Sequence, residues 1–572
     1  MDYCVVSSPY RGPSKQLGTG PPVYFTDLRR PVRVIEESTF DTTCTRVRGW
    51  SLRILDGSNT APGDCGLPYY NATGKVVGLH SAASVEGEVK LASRVLTSEP
   101  PPSQVIQWKG LCVTKGPSVG GMPTGTKFHR SPGHLKVYDW ETHDPAPYGV
   151  GDPRYSHTQV DMLVNGLRPY QETKVIDFDP VLMSRAIHHT RQCITGAIGT
   201  HQSRNLTYHE AVMTLDPATS CGPRVPGLKR DYWDEENQCY TGELEKRLQY
   251  CWDAAQRGEP LPNIYKLALK DELRPIEKNK EGKRRLLWGA DAGVTLVANG
   301  ALKGLSDRLA AVVPLTPISV GINMDSPVVE VINQALVGRV IYCVDYSKWD
   351  STMQPAVISA ALDILCDLCE QTPLTSAAFA TLRSQAIGMF EDAQIKTVTG
   401  LPSGMPFTSL INSVCHMLLF SMGVLSVYQK YNLPYTGCVF DNEVVLVYGD
   451  DGLYGLTTAT ASLFPEIVES FKLFGLRPTS TDKTDEIRPT LCPTFLKREL
   501  INTPRGVRAA LDKTSILRQF LWVKGGKTVD IYSPVTICTT ERGNQLENAL
   551  AYASVHGVDF WDECANLAQD TQ

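Results

Sequence analysis

The sequence predicts a multidomain α+β chain, with a β-rich front and a longer body in which helices dominate. Three observations carry this. The chain has 572 residues, room for roughly three or four domain-sized units. Hydrophobic residues make up 42% and charged residues 20%, which excludes a mostly disordered or fibrous chain. Around residue 100 the apolar pattern changes from alternation to three- and four-residue spacing.

The front, residues 1–97, is rich in Val, Thr, Ser and Gly, and the runs Val32–Ile35 and Trp50–Leu55 alternate as strands do. TSEPPPS, Thr97–Ser103, is Pro-rich and aperiodic and reads as a linker. Residues 98–125, which include the glycine-rich Gly116–Gly125, lead into a body spanning 126–572. Helical spacing recurs there at Glu243–Ala255, Ala356–Glu370, Pro406–Val427 and Ala461–Phe474. The longest apolar run, Val414–Val427, is interrupted by His416 and Ser421 and reads as a buried helix, so no transmembrane segment is expected. MDYCVVSSPYRG, at the start, lacks the pattern of a secretory signal. The 16 Cys show no framework spacing, which fits a reducing compartment. A net charge of −5 excludes an overall basic nucleic-acid binder but leaves room for a local basic channel.

The strongest chemical signal lies in two places about a hundred residues apart. In VIYCVDYSKWD, Val340–Asp350, a β-branched run ends at Asp345, and the polar turn that follows carries Asp350. In EVVLVYGDDGLYGL, Glu443–Leu456, two apolar runs flank Gly449, Asp450 and Asp451, which predicts a hairpin presenting two adjacent acids at its tip. Acids at the ends of buried strands need a positive partner, and hard divalent cations suit oxygen ligands. Two metals about 4 Å apart can activate an attacking hydroxyl and stabilise a leaving oxygen in phosphoryl transfer. Downstream of the first acids, Gly400–Ser413 reads as a glycine loop opening a helix; Thr408 and Asn412, four apart, share a helix face and can hydrogen-bond a ribose hydroxyl. Upstream, Lys266–Trp288 holds eight Lys/Arg against four acids, a local charge of +4 suited to a triphosphate.

DYSKWD, GLPSGMPFTSLINS, YGDD and FLKR, in that order and spacing, resemble the RNA-dependent RNA polymerases of positive-strand RNA viruses. With KDELRPIEKNKEGKRRLLWG and DYSKWDST the stretch is similar to the calicivirus branch, most of all to a sapovirus polymerase. The resemblance implies a right hand of fingers, palm and thumb. It implies that Asp345 and Asp450 hold Mg2+ or Mn2+ with Asp451 assisting, and that Asp350, Ser403 and Asn412 check the ribose. Lys270, Arg274 and Arg285, with Arg284 a weaker member, would bind the phosphates of the incoming nucleoside triphosphate. Lys483 would be the general acid toward pyrophosphate, Phe495–Arg498 a primer-gripping hairpin, and Ser515–Arg518 the start of the thumb. The implied partners are an RNA template and primer, NTPs, a small protein primer linked through Tyr, and other viral replication proteins. The implied location is the host cytoplasm, at replication complexes.

The front carries a second resemblance. APGDCGLPY, Ala61–Tyr69, followed by GKVVGLH ending at His80, is similar to the nucleophile turn and specificity pocket of chymotrypsin-like viral cysteine proteases. It implies Cys65 as nucleophile, with Thr60 and His80 contacting a substrate Gln or Glu. No His precedes His80, whereas that family places its general base before the Cys. The expectation is therefore a C-terminal barrel half without protease activity, and a thumb that is also incomplete at its end. Two rivals stand beside the polymerase: a polyprotein-processing cysteine protease with an RNA-binding polymerase-like module, and a non-enzymatic RNA-binding scaffold.

Overall fold

The computed structural model describes residues 17–26, 30–41, 46–84, 87–94, 105–131, 142–481, 486–532 and 537–571. The expected linker Thr97–Ser103 and the expected general acid Lys483 lie outside them. By contacts the chain divides into two units, Met1–Gln104 with Gln256–Pro260, and Val105–Ala255 with Leu261–Gln572.

In the first unit, six strands close into a barrel: Tyr24–Phe25, Arg30–Asp41, Arg46–Ile54, Lys90–Arg94, Val76–Ala83 and Pro68–Tyr70, in that order around it. The alternation seen in the sequence is its cause. Phe25, Val32, Trp50, Leu52, Tyr69, Val77 and Ala92 fill the interior. A bulge between Val34 and Glu36 breaks the alternation of the second strand and lets it run on to Asp41, past the end read from the sequence.

The second unit contains a four-stranded sheet in the order Val444–Tyr448, Asp451–Leu456, Val340–Tyr346, Pro478–Ser480. Against it packs the helix Thr408–Lys430, flanked by Pro355–Asp367 and Thr458–Leu473. The sequence reading ended this helix's apolar run short of a membrane span. At 23 residues, with mean hydropathy 1.8, it is in fact long and apolar enough to cross one, but 94% of that apolar window is buried inside the protein. A six-stranded sheet carries Ile264–Leu269 beside Leu286–Ala290, and the helices Lys513–Leu521, Thr539–Ser554 and Val558–Asp570 form a separate apolar cluster near the end of the chain. These correspond to palm, fingers and thumb.

The strand Thr126–Arg130 pairs antiparallel with Trp522–Thr528, beside the thumb helices. His129 Nε2 bonds the Gly526 carbonyl at 2.8 Å, and the Ser131 hydroxyl donates to the Phe520 carbonyl at 2.5 Å. The first and last segments of this unit are thus stitched together.

Candidate active site

The palm register brings the acids together. Val344 pairs with Gly452, so one further step along the antiparallel ladder sets Asp345 opposite Asp451. Tyr448 pairs with Asp451 across a two-residue turn of Gly449 and Asp450, with Gly449 at φ 60°. Neighbouring strands lie about 4.8 Å apart, so all three acids share one sheet edge. They line a cleft of 1840 Å³ together with Lys270, Arg274, Arg285, Asp350 and Ser403.

Burial pushes the Asp450 carboxyl up; the Asp345 charge adds to this and Arg285 opposes it. Burial also raises Asp451 to about 7, with repulsion from Asp450 and Asp345 adding to it, while the Leu496 N–H, donating to Oδ2 at 2.8 Å, pulls it back. Among the described residues no three His, Cys, Asp or Glu side chains surround one point closely enough to hold a metal ion. The donor chemistry still fits hard cations: Asp345 repels Asp450, both repel Asp451, and Arg285 opposes the charge on Asp450.

The residue that donates to Asp451 belongs to FLKR. Phe495 pairs with Arg498 across a turn in which Leu496 and Lys497 both have positive φ, 53° and 59°. Non-glycine residues rarely adopt this conformation, and two in succession store strain. That turn aims the Leu496 N–H at the acid.

Asp350 follows the strand within the short helix Trp349–Thr352. Burial, then repulsion by Asp450, raises its carboxyl to about 6, while Asn412 and Arg285 oppose the rise. Asn412 is 2% exposed and donates from Nδ2 to Asp350 Oδ1 at 3.1 Å. The glycine loop is fixed to the same segment, because the Leu401 N–H donates to the Asp350 carbonyl at 2.7 Å. At Gly404 the loop presses on a finger strand so closely that a Cβ would lie 1.6 Å from the Trp288 oxygen. Ser403 is exposed in the cleft, its hydroxyl donating to the Leu286 carbonyl at 3.3 Å. Thr408 departs from expectation. Its hydroxyl donates to the Pro402 carbonyl at 2.8 Å and closes the loop, and it is not among the residues lining the cleft.

The phosphate candidates converge on a residue the sequence reading passed over. Glu272, largely buried, takes a two-point contact from Arg285, with Nε to Oε1 at 2.7 Å, and lies 3.4 Å from Arg274 and 3.7 Å from Lys270. Burial opposes its charge, but Arg285 and the other cations prevail and hold its carboxyl below the usual range. Lys270 and Glu272 lie in the link between the strands Ile264–Leu269 and Leu273–Pro275, so no strand pattern marked Glu272; the available signal was an acid amid a basic run. Arg284 differs from the other cations: it donates to the Pro147 and Lys270 carbonyls, and burial lowers it to about 10. Its ties are to the backbone.

In the barrel unit, Cys65 is exposed in a turn between Gly63 and Gly66, at φ 104° and 90°. The Gly66 N–H donates to the His80 carbonyl at 2.8 Å, which sets the turn against that strand. His80 is buried, with Nδ1 2.9 Å from the Tyr69 hydroxyl, and burial lowers its pKa. Thr60, half-buried nearby in the chain, caps its own loop through its N–H to Asn59 Oδ1 at 2.9 Å. His189 is half-buried and accepts the Val439 N–H at Nδ1, 3.1 Å.

Acids gathered at one end of the palm sheet, facing cations clustered on Glu272 and an Asp350–Asn412 pair held between two helices, define a template-directed nucleic-acid polymerase. The comparisons narrow this. A family model described as viral RNA-dependent RNA polymerase matches residues 131–570, and the chain belongs to that family. A second, the 2C endopeptidase (C24) cysteine protease family, matches residues 1–71. The genome polyprotein of feline calicivirus (strain Japanese F4) is 37% identical over 538 residues, covering 89% of this chain and 30% of that protein. That of canine calicivirus (strain 48) is 36% identical over 561 residues, covering 93% and 29%. The genome polyprotein of bovine enteric calicivirus Newbury agent-1 is 39% identical over 576 residues, covering 97% and 25%. The chain therefore spans less than a third of the curated relatives it matches. The solved structure of Sicinivirus 3Dpol RNA-dependent RNA polymerase shares the fold, with a TM-score of 0.64 and 19% identity over 80% of this chain and 93% of that one.

Proposed function

We propose that the cleft transfers a nucleoside monophosphate from an NTP to an RNA 3′-hydroxyl on an RNA template, releasing pyrophosphate, in the replication and transcription of a positive-strand genome. One observation carries this: a single sheet register gathers Asp345, Asp450 and Asp451 at the edge that faces Arg285. Asp345 and Asp450, with Asp451, would hold Mg2+ or Mn2+. Such cations, when bound, activate the attacking hydroxyl and neutralise the leaving phosphate oxygens.

The chain's own groups do the rest. Lys270, Arg274 and Arg285, gathered by Glu272, bind the triphosphate. Asp350, steadied by Asn412, accepts from the ribose 2′-hydroxyl, with Ser403 beside it in the cleft. Lys483 would supply the proton to pyrophosphate. A protein-primed start, work with other viral proteins and a place at replication complexes in the host cytoplasm complete the proposal, as the motif resemblance implies. KDELRPIEKNKEGKRRLLWG and DYSKWDST favour the sapovirus branch. Primer extension tests the proposal. Asp450→Asn binds primer–template as the parent does and extends nothing; undiminished extension refutes it.

The barrel carries a separate proposal: Cys65 is the nucleophile of a protease-family portion, with Thr60 and His80 in its substrate pocket. In this chain the imidazole nearest Cys65 in sequence, that of His80, is already bound to Tyr69. A thiol without an adjacent base is a weak nucleophile at neutral pH. Incubation with a Gln-Gly or Glu-Gly peptide is expected to give no cleavage; turnover that vanishes in Cys65→Ala contradicts this.

A further inference from the structure

We infer that the Trp349 indole governs the choice of ribose over deoxyribose by fixing the orientation of the Asn412 side chain. The inference rests on the reading of Asp350 and Asn412 as the ribose check.

Two hydrogen bonds and two ring contacts support it. Trp349, 2% exposed, donates from Nε1 to Asn412 Oδ1 at 3.0 Å, and Asn412 Nδ2 donates to Asp350 Oδ1 at 3.1 Å. An indole N–H can only donate. The amide oxygen therefore faces Trp349 and the amide nitrogen faces Asp350, an orientation that the acceptor-only carboxylate also requires and that the indole locks from the buried side. The indole is itself held, at 4.7 Å from the His416 ring and 4.9 Å from the Tyr346 ring, centroid to centroid. Lys348, at φ 54°, immediately precedes it. That left-handed residue ends the strand and opens the short helix in which Trp349, 2% exposed, reaches the cleft wall beside Asp350.

The order of dependence is Trp349, Asn412, Asp350, sugar. Trp349 touches no substrate in this account; it is a positioning residue. Trp349→Phe keeps a ring of similar shape and deletes the donor. The amide oxygen of Asn412 then lies buried without its partner, the side chain is released to other rotamers, and the Asp350 carboxylate loses its steady donor.

The test is single-nucleotide incorporation with a ribonucleotide and the 2′-deoxyribonucleotide of the same base. In Trp349→Phe the ratio of the two kcat/KM values falls about tenfold, the size of one hydrogen bond to a charged or buried partner. Thermal denaturation run alongside confirms a folded protein; where Trp349→Phe does not fold, Trp349→Tyr, which displaces the donor from its place, is read the same way. Asn412→Ala lowers the ratio as well, and adding Trp349→Phe to Asn412→Ala lowers it no further, because the indole acts only through the amide. A folded Trp349→Phe protein that is slower with both sugars at an unchanged ratio overturns the inference and reduces Trp349 to packing. An additive loss in the double variant overturns it too. If Asn412→Ala leaves the ratio unchanged, the ribose reading itself fails, which separates the two failures.

Discussion

Single side chains here owe their behaviour to partners far away in sequence. Glu272 is the clearest case. As a buried carboxylate among cations it keeps Lys270, Arg274 and Arg285 in one place before a triphosphate arrives. Glu272→Gln leaves three like charges without their common partner, so the KM for NTP is expected to rise about tenfold while kcat changes less, in steady-state extension kinetics. His416 is the second case. Its Nδ1 lies 2.9 Å from the Gly449 carbonyl, and its Nε2 bonds the Tyr454 hydroxyl, which reaches Tyr346 at 2.7 Å. A carbonyl only accepts, so Nδ1 carries the proton and the neutral ring accepts from Tyr454. Burial lowers this imidazole from 6.5 to about 4, partly opposed by the carbonyl. The unfolded chain therefore takes up a proton first. Stability present above pH 6.5 is lost as pH falls toward 4, by about 1.4 kcal/mol per unit. Urea denaturation at pH 7 and pH 5 is expected to show this loss as a difference between the parent and His416→Gln, because the raised carboxyls of Asp350 and Asp451 take up protons in the folded state over the same window and push the other way in both proteins. None of these partners was legible from spacing. Glu272 showed in the sequence only as one acid in a basic run, and the His416–Tyr454–Tyr346 chain joins three separate segments.

At the scale of elements, the sequence read well where one strand or helix carried its own pattern. The hairpin around Gly449–Asp451 was visible because two apolar strands flank a glycine and two acids, and the structure forms it in that register. The glycine loop before Thr408 was visible too, but its purpose was only half seen. The loop's glycines did not announce that the close neighbour of Gly404 is the Trp288 backbone. Gly404→Ala is expected to push the loop off that strand, with a loss of 1–3 kcal/mol in thermal denaturation and at least a tenfold drop in extension, about the penalty of overpacking. Thr408 was placed on the right helix face but is consumed by the loop it follows. The FLKR turn was named from resemblance. Its strain was not readable, since nothing in Leu-Lys announces two successive left-handed residues. Lys497→Gly removes that penalty and is expected to raise stability by about 1 kcal/mol. It also deletes a cation lining the cleft, so primer affinity, followed by fluorescence anisotropy, is expected to fall.

Over the whole molecule, charge is segregated. The chain carries −5, yet eleven Lys/Arg against seven Asp/Glu line the cleft. RNA binding is therefore expected to weaken linearly in log–log plots against salt, and Arg477→Ala to reduce that slope by about 0.7 if it meets one phosphate of a single strand. Filter-binding titrations between 50 and 200 mM salt, about the range over which such slopes are read, check both. The division into a β-rich front and a mixed body followed from apolar periodicity. The pairing of Thr126–Arg130 with Trp522–Thr528 did not, because neither short strand announces its partner.

That pairing has a consequence for how the molecule is made. His129 waits for Gly526 across 397 positions of chain. On a ribosome working at 5–20 residues per second, the earlier strand emerges roughly 20–80 s before its mate exists. For that interval it is an open edge, available to any other extended segment. The pairing can close only once the chain has been made through Gly526 and beyond, to Thr528.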